Sequence, residues 1–239
     1  GAPMMNGLLD HMLVRGINHF VPHAFSPVFP NPDCPPHFGA EGRDPQFSGF
    51  TKLMRYGNQV SHLLCGAKHE ADVAIVYHAE LEWCNGASSM LTQVPAKILY
   101  EQQMDFDILP FDALASANVE DGLLRVNEET YKALLVPGCA ALPEALLAIL
   151  QRLENAGLPV WFVEERPKEA DFGRVVSQAC LAEEAKKFAT VHIAPANPLL
   201  RVYRAQREAD WIYMLVNESA VHCYEGEITV PEARECLKL

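Results

Sequence analysis

The 239-residue chain is poor in positive charge and lacks the short motifs that mark nucleotide and metal sites. Lys and Arg number 19 against 31 Asp and Glu, a formal net charge of −12. Nucleic acid and anionic membrane surfaces both select clustered Lys and Arg, so neither is an expected partner. The acidic residues are spread along the chain, as on a solvated surface. No apolar run approaches the roughly 20 residues that span a bilayer. The opening GAPMMNGLLDHM has no basic region followed by an apolar stretch, so a signal peptide is not expected. No G-x-G-x-x-G follows a strand-like run and no G-x-x-x-x-G-K-[ST] occurs. Dinucleotide and P-loop sites therefore have no sequence support, and no cofactor is expected. The seven cysteines (Cys34, Cys65, Cys84, Cys139, Cys180, Cys223 and Cys236) are odd in number and form no C-x-x-C pair. That argues against a disulfide framework and a zinc knuckle. Several lie in apolar runs, where Cys acts as a small hydrophobe, and a reducing, cytoplasmic setting is expected.

What is present is an ordinary globular composition, 49% hydrophobic and 21% charged, enough for a sizeable core without staples. Met4, Leu8, Leu9, Met12 and Leu13 have helical spacing, and Gly16 then punctuates the chain. Ile17–Phe25 (INHFVPHAF) has strand character, with Pro22 near its end. A Pro-rich stretch, Ser26–Ser48, excludes regular structure. A helix is expected from about Gly49 to Cys65.

An alternating region follows. Ala71–His78 (ADVAIVYH) reads as a buried parallel strand. Strands are also expected at Asp107–Leu109, Lys132–Gly138 and Leu158–Glu164, with a fifth at Thr190–Ile193. Helices are expected at Ser89–Gln103, Pro143–Ala156 and Ala182–Phe188, the second followed by Gly157. Strands alternating with helices imply right-handed βαβ units and a largely parallel sheet. Beyond it, Leu199–Gln206, Asp210–Glu218 and a run near His222–Val230 have no helix between them and predict an antiparallel meander. Three strands leave open edges, so the sheet is expected to continue elsewhere.

Three groups of side chains invite chemistry. His19 and His23 are four apart in the first strand, hence on one face, and Asp33, Cys34 and His37 follow. Metal ligation, polar contacts in a sugar pocket and structural hydrogen bonding all suit these residue types. His78, Glu80, Glu82, Trp83 and Asn85 follow the first strand of the alternating region, where ligands of parallel sheets bind. A Trp ring can stack on a sugar face while carboxylates accept its hydroxyls. A domain-interface loop with a buried Trp is the alternative. Cys139, in VPGCAALPE, lies between strand and helix but has no identifiable partner base, so a packed or surface thiol is expected rather than a nucleophile.

The order GINHFVPHAFSP, Pro-rich loop, DPQFSGFTKLMRYGNQVSHLLCGAKHEADVAIVYHAELEW resembles the junction in several glycoside hydrolases, family 42 β-galactosidases among them. In these a catalytic (β/α)8 barrel is followed by a flavodoxin-like three-layer α/β domain similar to class I glutamine amidotransferases, which helps build a trimer. The resemblance implies three parts: residues 1–66, the end of the barrel with its connecting loop and helix; 67–196, the amidotransferase-like domain; and 197–239, the start of a C-terminal β-sandwich. It implies a carbohydrate substrate for the parent enzyme, a homo-oligomer, and substrate contacts from His19, His23, Glu82 and Trp83. The barrel's carboxylate pair would come from earlier strands, so no catalytic residue is expected here. Amidotransferases carry a nucleophilic Cys after the strand matching Leu158–Glu164. Here FVEERP places Glu164 and Glu165 there, and no His-x-Glu matches near Thr190–Ala194. Fold without glutaminase chemistry is implied.

Overall fold

A computed structural model describes residues 2–23, 45–83 and 89–231, without the side chains of residues 2, 3, 80 and 82. The elements in chain order are α1 (Ala2–Leu13), α2 (Phe47–Leu64), β1 (Lys68–His69), β2 (Val73–Tyr77), α3 (Ala79–Trp83), α4 (Gln93–Tyr100), β3 (Phe106–Pro110) and α5 (Phe111–Ala115). Next come β4 (Asn118–Glu120), β5 (Leu123–Val126), β6 (Glu129–Tyr131), β7 (Ala133–Pro137), α6 (Glu144–Asn155), β8 (Val160–Val163) and β9 (Arg174–Val176). The chain closes with α7 (Gln178–Ala185), β10 (His192–Ala194), β11 (Leu200–Arg207), β12 (Asp210–Asn217) and β13 (Glu227–Thr229).

The centre is a five-stranded, all-parallel sheet in the order β3-β2-β7-β8-β9. Counted along the chain this is 2-1-3-4-5, the flavodoxin-like order. Alternation along β2 sends Ala74 and Val76 to one core with Leu134, Phe162 and the α6 residues Leu146, Leu150 and Leu153. Those three leucines fall one helical turn apart, which makes a single buried stripe. Val73 and Ile75 point the other way, to Leu99 of α4 and Leu181 of α7. A sheet apolar on both faces and covered by helices on both is the three-layer α/β domain expected from the sequence.

A third core joins Leu9 and Leu13 of α1 with Leu53 and Leu64 of α2 and with Tyr203 and Ala205 of β11. It packs against a second sheet, β1-β11-β12, antiparallel throughout.

Three expectations are corrected, and one sheet is new. Ile17–His23 forms no strand. Gly16 takes φ +80 and its N–H donates to Leu13, while the Ile17 N–H donates back to Met12. Ile17 is thus spent on ending α1, a Schellman turn, and no neighbouring strand among the described residues offers it a ladder. The fifth parallel strand is β9, not Thr190–Ile193. The Thr190 N–H donates to Asp72 Oδ2 at 2.8 Å, pinning the chain at the N-terminal edge of the sheet. Residues 192–194 then pair antiparallel with β13. Consequently β13 does not extend the β11–β12 hairpin, and the meander is two strands, with β1 on its far side. Finally, β4-β5-β6 forms a small antiparallel sheet with no counterpart among the expected strands. The Ser26–Ser48 expectation falls largely outside the described residues.

Candidate functional site

In an open parallel sheet, ligands sit beyond the carboxyl ends of the strands where the order reverses, here between β2 and β7. The chain leaves β2 at His78, makes the one-turn helix α3, and returns so that Ser89 bridges Cys139 and the Met90 N–H donates to the Gly138 carbonyl at 2.7 Å. Trp83 ends α3 with 75% of its surface exposed. His78 is fully buried, and neither ring nitrogen has a hydrogen-bond partner among the described residues. Of these two side chains the histidine takes the interior and the indole the solvent.

At the end of β8, Glu164 adopts φ +71, a left-handed conformation uncommon for a side-chain-bearing residue. Its N–H donates to Val176, and its Oε2 accepts the N–H of Gln178, the first residue of α7. The carboxylate thereby caps a helix at its positive end. Cys139 lies across from this turn and is fully buried. Burial, and secondarily the charge of Glu165, pushes its thiol up to about 12. A thiol so disfavoured as thiolate is a packed hydrophobe, not a nucleophile.

The opposite, N-terminal edge of the sheet carries the polar clusters that the sequence did not reveal. Lys132 Nζ donates to Asp72 Oδ1 at 2.6 Å, Thr190 Oγ1 at 2.6 Å and the Phe188 carbonyl at 2.8 Å. His69 faces Asp105 through Nε2 at 2.7 Å and Asp107 through Nδ1 at 3.0 Å, and Tyr131 donates its hydroxyl to Asp107. Burial opposes the imidazolium, but hydrogen bonds and charge from both carboxylates outweigh it and raise His69 to about 10. Burial likewise opposes the Asp107 carboxylate, and the His69 and Tyr131 contacts overcome it and hold its pKa below the usual range. With both nitrogens engaged, His69 has no lone pair for a substrate proton, so this cluster locks β1 to β3. The only sequence signal was the alternate spacing of Asp105 and Asp107, on one side of a strand.

No protein-family model and no characterised protein sequence matches the chain. Among solved structures it is similar to the apo exo-carrageenase GH42 from Bacteroides ovatus, at 12% identity and TM-score 0.40, over 72% of this chain and 25% of that one. It is also similar to Gan42B, a GH42 β-galactosidase, at 13% identity and TM-score 0.38, over 75% of this chain and 27% of that one. The chain thus spans about a quarter of the length of each.

The remaining candidates are dispersed. His19 and His23 are exposed on the segment after α1, with no hydrogen bond or ion pair to another described residue. They are no longer matched by a strand period. Glu82 belongs to α3, but its side chain lies outside the described residues, as do Asp33, Cys34, His37 and Asn85. Among the described residues no group of three or more His, Cys, Asp or Glu is placed to hold a metal ion. No helix is long and apolar enough to cross a membrane, again among the described residues.

Proposed function

We propose that this chain is a non-catalytic C-terminal part of a carbohydrate-active glycoside hydrolase, contributing to a homo-oligomer and to the wall of the sugar site. The observation that carries the reading is the exposed Trp83 on the turn at the carboxyl end of β2. An indole with three quarters of its surface in solvent, on a short helix set on a rigid sheet, suits stacking against a sugar face. The groups that would otherwise suggest chemistry are closed off. Cys139 is sealed and His69 is saturated, and in the amidotransferase comparison the stretch FVEERP carries Glu164 and Glu165 and no Cys. In this reading Glu82 joins Trp83, His19 and His23 face the mouth of the barrel, and residues 1–66, 67–196 and 197–239 belong to barrel, amidotransferase-like domain and β-sandwich.

The test has two arms. The isolated chain should turn over neither aryl glycosides nor glutamine, and hydrolysis by it would overturn the non-catalytic reading. In the full-length enzyme, Trp83→Ala should raise KM by about tenfold with little change in kcat, as loss of uniform binding requires. An unchanged KM would remove Trp83 from the sugar site. A stand-alone α/β ligand-binding or regulatory module is the second reading, favoured by the domain's complete core on both sheet faces. An upstream reading frame encoding a barrel would decide against it.

A further inference from the structure

We infer that Glu218 is the centre of a joint that fixes the segment leaving α1 against the parallel-sheet domain. Glu218 follows β12, with its side chain 15% exposed. Its Oε1 accepts Arg15 Nη1 at 2.6 Å and meets His11 Nδ1 at 2.5 Å, both from α1 and its exit. Its Oε2 lies 2.8 Å from Arg201 Nε of β11, an ion pair by charge and distance in which the Nε–H is not aimed at the oxygen as a hydrogen bond. The Arg15 and Arg201 guanidinium carbons each lie 4.8 Å from the centroid of the Tyr100 ring, at the end of α4. One carboxylate and one aromatic ring therefore hold two cations together, and the four residues come from α1's exit, α4, β11 and the end of β12.

The arrangement depends on Glu218 beyond a single ion pair. Without it, two arginines drawn to one ring repel each other with no anion between them. The Tyr100 hydroxyl is buried with no hydrogen-bond partner among the described residues, so the ring contributes through its face and not its oxygen. Phe106 fixes that ring edge-on, 5.7 Å away, at the start of β3. Arg15 stands immediately before Gly16, so the joint sets the direction in which residues 16–23, with His19 and His23, leave the helix. This holds whatever His19 and His23 contact.

Hydrogen exchange by mass spectrometry on the intact chain tests it. In Glu218→Gln, exchange at residues 15–20 and at the end of α4 should rise about tenfold or more, while β7 and β8 keep their protection. Tyr100→Phe should leave the pattern of the unsubstituted protein, and Tyr100→Leu should reproduce that of Glu218→Gln. Unchanged exchange at residues 15–20 in both Glu218→Gln and Tyr100→Leu would overturn the joint. So would an equal rise across β7 and β8, which marks general loss of stability.

Discussion

His69 and Tyr203 stack with ring centroids 4.6 Å apart and planes 2° from parallel, while both imidazole nitrogens face carboxylates. The stack ties β1 to β11 and the carboxylates tie β1 to the start of β3, so one side chain joins two sheets. His69→Phe keeps a ring for Tyr203 but strands Asp105 and Asp107, and should cost about 3 kcal/mol at neutral pH. The pH dependence has a definite sign. The folded pKa, about 10, lies above the ordinary 6.5. The stabilisation is therefore fully present below about pH 6.5 and is lost as pH rises through about 10. Urea midpoints of the two proteins should be furthest apart near pH 6.5 and converge toward pH 10. A gap that widens with pH would refute the imidazolium assignment.

Gly138 passes so close to the end of β8 that an added β-carbon would collide with the Val163 carbonyl oxygen and lie 3.1 Å from the Glu165 nitrogen. Both are backbone atoms, so relief requires the β7 and β8 ends to separate. Gly138→Ala should lower stability by about 2 kcal/mol. Gly7, in the middle of α1, has nothing within 4 Å of such a carbon. Gly7→Ala should instead stabilise by about 0.5–1 kcal/mol through helix propensity. Opposite shifts in urea midpoint are expected, and equal shifts would contradict the packing at Gly138.

The strongly apolar runs were legible because their burial on both faces leaves a continuous signal. Val73–Tyr77, Ala133–Pro137 and Val160–Val163 needed only their own residues to be recognised. β9 was not legible: Arg174–Val176 is three residues at a sheet edge, two of them exposed, and only its neighbour β8 makes it a strand. The β4–β5 hairpin did carry a signal. Asp121 and Gly122, at φ +53 and +76, make the two-residue turn that Asp-Gly favours between short strands. Ile17–Val21 misled because β-branched and aromatic residues suit a strand only where a partner strand exists. At the candidate site, position was legible and burial was not. The sequence placed His78 and Trp83 after β2, but which of them turns inward is decided by how α3 leaves the strand, and that is set by tertiary packing.

Cys139 tests the same distinction by chemistry. The thiolate is the reactive form, and a thiol pushed up to about 12 holds almost none of it near neutral pH. The sulfur is also sealed beneath the α6 side of the sheet, with Leu142 and Leu146 in the same core. Cys65, Cys180 and Cys223 are free and exposed. Iodoacetamide at neutral pH should therefore modify these three at least about tenfold faster than Cys139, by mass spectrometry of the native protein. Labelling of Cys139 should appear only in step with unfolding, and adding urea should bring its rate up to that of the others. Rapid, selective alkylation of Cys139 in the native state would contradict its burial and restore a nucleophile at the carboxyl end of β7.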